Sequence, residues 1–479
     1  MANEHTGFWL ALLDFGNGEE ERRKNWNAYC YWRFGEFLRQ LIAPAELKNI
    51  REKIDLPSGF TGDFERCWEQ FAADLGGHPQ IPKLNSFMDF SGTELTDNVS
   101  LAGRLLIGAN FRETVFKGQT ADFRGAEFFG LTEFDGADFF QLKSNSHNDF
   151  GASFSRSTFH DLATFDRVKF PYLTMFDGVE FRDSASFSQA EFWSRTAELN
   201  VSHGGEVQFD LTQFHGTVAF WKAKFGTASF IGAEMKKAAD FHDAVFCSSI
   251  NFNNARFQGT SMFRKATFWR PPKFFEAELH EDVTFSEANW KVAEESYRRS
   301  FRRNGSKVRT DAEGAMRAWD RLALIMSQRE KLPERHEFFR LKMRAQRQRD
   351  GLGLLSFLNL LFDKTSDYGW SVGRALSCWS AQFVVMGAVH FGLALNCSSG
   401  SDAGWLQVLK HGILLSFANS HAFLRLAAGD GWLHGSRDAI VNSCPTDWPF
   451  VYIGLAQAVL GPILLFLVLL TLRNRFRLG

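Results

Sequence analysis

A phenylalanine, or another large apolar residue, recurs every five or six residues through the middle of the chain. The 479 residues include 52 Phe but only 6 Tyr, so one aromatic residue is used selectively. Neither the helical period of 3.6 residues nor the strand period of two produces this spacing. Disorder is excluded as well, because disordered chains are poor in aromatic and other apolar residues. The pattern therefore indicates a structural repeat.

The repeated unit places a small residue two positions before each large one, as in Ala109-Asn110-Phe111. Steps of five and six alternate, so two steps make a unit of about eleven residues. A coil with flat faces fits this spacing, with one large residue pointing inward from each face. Four faces make a coil of about 22 residues, and residues 106–290 make roughly eight coils stacked at about 4.8 Å. From residue 154 onward the central positions are Phe154, Phe159, Phe165, Phe170, Phe176, Phe181, Phe187, Phe192, Phe209, Phe214, Phe220, Phe225, Phe230, Met235, Phe241, Phe246, Phe252, Phe257, Phe263, Phe268, Leu279, Phe285 and Trp290.

This repeat resembles the pentapeptide-repeat proteins, in the Phe-centred variant with eleven-residue double units. The resemblance implies a β-solenoid that is a right-handed quadrilateral β-helix. The register lapses at 140–153 and 193–208, where we expect loops or bulges that leave the coil. These segments are either tolerated insertions or partner-binding loops on a rigid scaffold.

Two stretches near the end of the chain have the length and apolarity of membrane spans. Residues 375–395 and 449–472 contain no charged side chain, and the second would be about 36 Å long as a helix. A third apolar stretch, 405–424, contains Lys410 and His411, which are costly against lipid. We therefore expect 405–424 to be a re-entrant or an interfacial helix rather than a third span.

The distribution of basic residues predicts an orientation. Segment 291–374 has 19 Lys+Arg against 11 Asp+Glu, and the Arg-rich run 473–477 follows the second span. The intervening loop, 396–448, has only three basic residues. The positive-inside rule then places both termini in the cytoplasm. The absence of a secretory signal in the first residues agrees with this expectation.

The order span, short helix, polar turn, span resembles the two-helix pore-loop ion channels. The run Ser416–His421 takes the place of the selectivity filter, but it lacks Thr-Val-Gly-Tyr-Gly, so potassium selectivity is not implied. The resemblance implies a tetramer around one pore. The alternative is an interfacial helix that only shapes a membrane anchor. The constriction candidates are Ser416, Asn419, Ser420 and His421; the intramembrane polar contacts are His390 and Gln457; the hinge is Gly461 with Pro462.

The organisation of the whole chain resembles a bacterial set of pentapeptide-repeat proteins that end in this channel-like module. The residues that carry this likeness are Ser366-Asp367-Tyr368-Gly369 before the first span and Arg473–Arg477 after the second. The likeness implies a multi-pass protein of the bacterial inner membrane.

Cys397 and Cys444 stand at the two ends of the loop between the spans. A disulfide is chemically permitted there if that loop faces an oxidising compartment. Free thiols are the equal alternative, because the sequence contains no Cα–Cα distance.

Four regions follow from these patterns. Residues 1–90 are predicted to be a helical cap region, rich in aromatic residues, that covers the open end of the solenoid. Residues 91–290 form the β-helix. Residues 291–374 form a basic helical hairpin, with helices near 311–330 and 337–350, that is either a passive spacer or a coupling element. Residues 375–479 form the membrane module.

Enzymatic motifs are missing from the sequence. It contains no Walker A loop, no G-x-S-x-G, no paired C-x-x-C and no H-E-x-x-H. We therefore predict that the protein is not an enzyme and has no metal or cofactor. Because 54 basic residues balance 55 acidic ones, we expect no nucleic-acid partner. Two functions remain: a channel-like membrane protein with a cytoplasmic β-helix as sensor or scaffold, or a membrane-anchored scaffold for an unidentified cytoplasmic protein partner.

Overall fold

The molecule consists of two compact units, Met1–Val308 and Arg309–Gly479, and each is described by itself. The first contains a β-solenoid of about seven turns, and the second is helical. The computed structural model describes residues 6–41, 48, 88–139, 150–170, 173–192, 205–290, 305–351, 353–397, 405–420 and 448–476.

Short parallel strands form four faces of the solenoid, and each strand pairs with the strand one coil away. The eight-stranded first face consists of β1 (Met88–Asp89), β5 (Ala109–Asn110), β9 (Thr132–Glu133), β12 (Ala163–Thr164), β15 (Ala185–Ser186), β19 (Val218–Ala219), β23 (Ala239–Asp240) and β27 (Ser261–Met262). The second face consists of a two-stranded and a four-stranded sheet, which the single bridges Val115–Asp138, Asp138–Lys169 and Lys169–Glu191 connect. The first contains β2 (Glu94–Leu95) and β6 (Val115–Phe116), and the second contains β16 (Glu191–Phe192), β20 (Lys224–Phe225), β24 (Val245–Phe246) and β28 (Thr267–Phe268).

The remaining two faces have seven strands each. The third consists of β3 (Val99–Ser100), β7 (Ala121–Asp122), β10 (Phe150–Ser153), β13 (Leu173–Met175), β17 (Glu206–Gln208), β21 (Thr227–Ser229) and β25 (Ile250–Asn251). The fourth consists of β4 (Leu105–Ile107), β8 (Glu127–Phe129), β11 (Thr158–Phe159), β14 (Glu180–Phe181), β18 (Gln213–Phe214), β22 (Glu234–Met235) and β26 (Arg256–Phe257). The predicted four-faced β-solenoid is confirmed.

The length of one coil agrees with the period of the repeat. Backbone partners on adjacent regular coils are 21 to 23 residues apart in sequence, as are Met88 and Ala109, Val99 and Ala121, and Asn110 and Glu133. The separation grows to 31 residues for Gly130 and Asp161, and to 33 for Glu191 and Lys224. These longer coils contain the two predicted lapses in register. The strands resume at Phe150 and Glu206, and residues 140–149 and 193–204 lie outside the described part of the chain.

The interior consists of columns of stacked phenylalanine rings. Phe123, Phe154 and Phe176 lie one above another with centroids 4.7 and 4.8 Å apart. Rings of neighbouring columns meet edge to face, as Phe165 and Phe176 do at 5.6 Å and 90°. Each such pair contributes about 0.5–1.5 kcal/mol beyond the burial of its area. The parallel strands hold the rings at their own spacing, so the columns and the backbone ladders reinforce each other.

The solenoid begins three residues before the predicted start of the β-helix at residue 91, and well before residue 106, where the predicted series of coils began. Strand β1 begins at Met88, and the inward positions of this first coil are Phe90, Leu95, Leu101 and Leu106, all of which are buried. Leucine in place of phenylalanine hid this coil from a search for phenylalanine. Phe274 also takes an inward position that the predicted series omitted, and it stacks on Phe252 at 4.8 Å.

Every second corner of the coil has a residue with positive φ, two positions after an inward phenylalanine. Arg156, Arg167, Gly178 and Gln189 are consecutive examples, with φ of 58°, 60°, 63° and 60°. Non-glycine residues are strained in this region by about 1 kcal/mol or more each. Because only alternate corners adopt this conformation, the repeat unit has eleven residues rather than five.

Two helices, α1 (Thr6–Asp14) and α2 (Glu19–Leu41), pack against the first coil. Trp26 of α2 donates its indole N–H to the Leu105 carbonyl at 2.8 Å. The Asn27 amide donates to the Gly103 carbonyl at 3.0 Å and accepts from the Leu105 N–H at 2.8 Å. These contacts satisfy backbone groups that an open strand edge would expose.

The other helices are α3 (Gly305–Gln328), α4 (Leu332–Asp350), α5 (Leu354–Ser366), α6 (Val372–Cys397), α7 (Trp405–Ser420) and α8 (Trp448–Phe476). Helices α3 and α4 lie where the sequence predicted a helical hairpin. They are joined by the Asp320–Lys342 ion pair at 2.6 Å and by stacking of Trp319 on Phe338. Helix α5 was not predicted.

Two of these helices are long and apolar enough to cross a membrane. They are α6, over Val372–Leu395, and α8, over Trp448–Phe476. These segments contain the stretches 375–395 and 449–472, so the prediction of two apolar helices of this length is confirmed.

Candidate functional site

Helix α7 packs between the two long apolar helices, and small residues permit the close approach. A Cβ added to Gly412 of α7 would lie 3.1 Å from the Gly387 carbonyl oxygen of α6. A Cβ added to Gly461 of α8 would overlap the Ser420 carbonyl oxygen at the end of α7. Larger residues at these positions would push the three helices apart.

The described residues of α7 reach the middle of both neighbours. Near its start, Val408 packs with a cluster that includes Ala394 of α6 and Phe450 of α8, close to the ends of those helices. Its last residue, Ser420, meets Gln382 and Gly461. At 1.5 Å per residue these contacts lie about 22 Å from the Cys397 end of α6 and about 20 Å from the Trp448 end of α8. The described residues of α7 therefore run from one pair of helix ends to the middle of the bundle.

A buried polar network centred on Gln457 of α8 joins the three helices. The Gln457 Oε1 atom accepts from His390 Nε2 at 3.1 Å and from Asn419 Nδ2 at 3.5 Å. Its Nε2 atom donates to Ser416 Oγ at 2.6 Å, and Ser416 Oγ donates to the Phe383 carbonyl at 3.0 Å. The Gln457 carboxamide of α8 therefore connects all three helices, because its amide N–H donates to α7 and its oxygen accepts from α6 and α7.

Two polar atoms beside this network have no hydrogen-bond partner among the described residues. They are Gln382 Oε1 and His390 Nδ1, and both side chains are buried. Because His390 Nε2 must carry a proton to donate to Gln457, Nδ1 is an acceptor in the neutral ring. Buried polar atoms without partners are destabilising, and in native proteins they commonly bind water or an ion.

The structure brings five of the predicted site residues together. Ser416, Asn419, Ser420, His390 and Gln457 all lie in or beside the network, and all are buried. His421 lies outside the described residues, as does Cys444, and the side chain of Cys397 is not described. The constriction and the disulfide therefore stay predictions.

The predicted hinge lies within an unbroken helix. Helix α8 continues from Trp448 to Phe476 through Pro462. Pro462 has no N–H, so it cannot donate to the carbonyl four residues before it. Gly461 has a packing role at the contact with Ser420, and its role as a hinge stays a prediction.

Gln382 was missed as a site residue by the sequence reasoning. It donates to Ser420 Oγ at 3.1 Å. The available signal was an uncharged polar residue within an otherwise apolar 21-residue stretch, the same signal that identified His390. Gly387, Gly412 and Gly454 were also missed, because no periodic pattern distinguishes a glycine at a helix contact from one exposed to solvent.

A second polar cluster lies where α4, α5 and α6 meet. Asp363 accepts from Arg344 at 3.1 Å and from Arg347 at 3.2 Å. Burial opposes ionisation of Asp363, but the two arginines outweigh it and hold the carboxyl pKa below its ordinary value. Asp367 pairs with Arg340 at 2.9 Å. The two carboxylates are thus held by cations from α4.

The two short motifs on either side of the apolar helices meet in this region. The carbonyl oxygen of Gly369, in the run Ser366–Gly369, accepts from Asn474 Nδ2 at 2.9 Å. A cleft of about 310 Å³ lies beside this contact, lined by Leu332, Arg335, His336, Phe339, Tyr368, Trp370 and Asn474.

His336 in the cleft stacks on Trp370 at 4.5 Å and donates from Nε2 to the Asp367 carbonyl at 3.1 Å. Burial and the neighbouring Arg340 lower the pKa of His336 to about 4, although Asp367 acts in the opposite direction. Burial also raises the pKa of Tyr368 to about 12. Both side chains are therefore neutral at pH 7.

One group of potential metal ligands is present among the described residues. His280, Glu281 and Asp282 have ligand atoms within 4.8 Å of one another on the solenoid surface. All three are at least partly exposed, and acidic groups often cluster at surfaces without a metal. No ligand role is assigned to them.

Comparison of the chain with models of protein families, with curated proteins and with solved structures finds no match in any of the three.

Proposed function

We propose that this protein is a membrane-anchored β-solenoid protein whose helical module crosses the bilayer twice and forms an ion pathway in an oligomer. Helices α6 and α8 are the two spans in this proposal, and α7 is the re-entrant helix between them. The observation that carries it is the set of buried polar contacts near the middle of both long helices, where Ser416, Asn419 and Ser420 of α7 meet Gln382 and Gln457.

Polar groups at this depth are informative for a physical reason. In hydrocarbon they are tolerated only where protein buries them or where they line a water-filled cavity. Gln382 Oε1 and His390 Nδ1 have no hydrogen-bond partner among the described residues, and both atoms are acceptors suited to water or to a cation. A pathway for cations beside Ser420 agrees with these observations.

Orientation and family belong to the same proposal. Arg473 and Arg475 lie at the end of α8, and the arginines of α4 lie before α6. By the positive-inside rule, these basic residues favour a cytoplasmic location for the adjacent helix ends. The 22-residue coil and the alternating corners support membership of the pentapeptide-repeat family. The bacterial inner membrane is the location that this resemblance implies, and a tetramer is the assembly implied by the pore-loop likeness.

A membrane-anchored scaffold without conduction is the second candidate function. The observation that favours it is that the Gln457 network closes within one chain, with hydrogen bonds to His390, Asn419 and Ser416. Such a network stabilises a helix bundle without lining any pathway. In this case the solenoid binds a cytoplasmic protein and the helices only hold it at the membrane.

Ion flux into vesicles that contain the purified full-length chain distinguishes the two candidates. We expect cation flux that is abolished when residues 416–421 are replaced by a Gly/Ser segment and strongly reduced by Gln457→Leu. The matched control is Leu455→Ala, two residues away on the same helix at a 63 % exposed position, which should leave the flux unchanged. Silent vesicles that contain correctly inserted oligomers would reject conduction and favour the scaffold.

Membrane insertion itself has a separate test. Impermeant thiol reagents applied to sealed inner-membrane vesicles should label Cys247 and Cys444 from opposite sides. Labelling of both from one side would contradict the two-span topology, whatever the flux experiment showed.

A further inference from the structure

Helix α5 has the reverse of the usual distribution of side chains. Its apolar residues are exposed: Leu354 is 74 % exposed, Leu355 is 76 % and Phe357 is 60 %. Its polar residues Asp363 and Ser366 are buried. In a water-soluble protein the apolar face of a surface helix turns toward the core.

Polar residues on the inward face of α5 form ion pairs and hydrogen bonds. Asp363 binds Arg344 and Arg347 of α4, and Asn359 donates to the Met343 carbonyl at 3.0 Å while it accepts from Tyr368 Oη at 2.7 Å. These bonds fix the orientation of the helix about its own axis. The apolar face therefore cannot turn inward without breaking two ion pairs and two hydrogen bonds.

We propose that α5 lies in the plane of the membrane surface, with its apolar face in the acyl region of an anionic leaflet. This inference rests on the membrane location in the proposed function. With 13 residues the helix is about 20 Å long, too short to span a bilayer and suited to lie on one. Amphipathic helices bury an apolar face at the boundary between headgroups and acyl chains in this way.

Continuity and charge select lipid as the occupant of this face. Helix α5 ends at Ser366 and the first apolar helix begins at Val372, so the exposed leucines directly precede a surface that needs lipid. Trp370 lies at the junction, where aromatic residues favour the membrane interface. Lys364 and Arg374 beside the junction are exposed, and cations at this position are attracted to an anionic leaflet.

Photo-crosslinking of the full-length protein in vesicles tests the proposal. The crosslinker p-benzoylphenylalanine replaces Leu355 on α5, Phe466 on the exposed side of α8, or Trp221 on the outside of the solenoid. The vesicles contain either phosphatidylcholine alone or phosphatidylcholine with phosphatidylglycerol. We expect lipid adducts from positions 355 and 466 and none from 221. Phosphatidylglycerol should increase the yield at 355 and leave the yield at 466 unchanged.

The outcomes separate this inference from the one on which it rests. A lipid adduct at 466 with none at 355 would overturn the surface position of α5 while leaving the spans in place. Loss of the adduct at 466 would overturn the membrane module itself. A protein adduct at 355, to a second copy of the chain, would show that another α5 or α6 covers this face and would also overturn the proposal. Equal yields at 355 in both vesicle types would contradict the part of the proposal that requires an anionic leaflet.

Discussion

The solenoid and the helical unit differ in the side chains that they bury: apolar rings in the first and polar groups in the second. Phenylalanine rings such as Phe123, Phe154 and Phe165 fill the solenoid and are fully buried. In the helical unit the buried residues between α6, α7 and α8 include His390, Ser416 and Gln457, while leucines and valines of the same helices are exposed.

Under the proposed membrane location, this inversion reflects two different surroundings for one chain. In water, burial of apolar area drives folding, so the solenoid turns its phenylalanines inward and its charges outward. In lipid, exposed leucine costs nothing, and association depends on close packing and on hydrogen bonds between helices. The small residues at Gly387, Gly412 and Gly461 and the carboxamide of Gln457 supply these two contributions.

The largest expected effect comes from the apolar interior. Phe165→Ala should destabilise the solenoid by about 4 kcal/mol, because it leaves a cavity between two stacked rings. Denaturant unfolding of the detergent-solubilised full chain, followed by the strand signal in circular dichroism, measures this loss. Trp221→Ala is the matched control, since this aromatic residue lies outside on the same solenoid, and its effect should stay below about 1 kcal/mol. Equal losses for the two variants would contradict the role of the ring columns.

The polar interior of the helical unit gives the next effect. Asp363→Asn should cost about 3 kcal/mol, because removal of one partner leaves Arg344 and Arg347 partly buried without a counter-charge. Thermal unfolding of the full chain, followed by the helical signal, measures it. Asp350→Asn is the control: Asp350 pairs with the adjacent Arg349 at 2.8 Å at the surface, and exposed ion pairs contribute about 0–1 kcal/mol. A large effect of Asp350→Asn, with none from Asp363→Asn, would reverse our assignment of the inward face of α5.

A pH dependence gives the smallest of the three effects. The folded chain holds the pKa of His336 near 4, against an ordinary value of 6.5, so the unfolded chain binds more protons between these values. The contribution of His336 is complete above pH 6.5 and is lost as pH falls toward 4. Between pH 7 and pH 5 the helical unit should lose about 2 kcal/mol through this group.

Replacement of the ring tests that pH dependence. His336→Gln keeps a donor for the Asp367 carbonyl and removes the titration, so its stability should vary less over the same range of pH. The charged groups around the ring, Arg335, Arg340 and Asp367, are kept in the variant. An unchanged slope in the variant would assign the acid sensitivity to another group.

The repeat made the solenoid predictable to the level of single residues. Each inward phenylalanine from Phe154 to Phe268 was identified because one position of a fixed period needs the same large side chain in every coil. The inward positions of the first coil were not identified, because Leu95, Leu101 and Leu106 fill them with another residue. The helical unit was predictable only as a series of helices, since apolar length indicates that a helix exists but does not indicate its neighbours.

The sequence by itself determined the square solenoid, its 22-residue coil, the two interruptions and the two long apolar helices. Each follows from periodicity or composition, which are local properties of the chain. Only the tertiary structure decided that Ser420 of α7 lies at the middle of its neighbours, that Gln457 joins three helices, and that α5 presents its leucines outward. These features depend on contacts such as Gln382 with Ser420 and Asp363 with Arg344, between residues that are distant in sequence and related by no period.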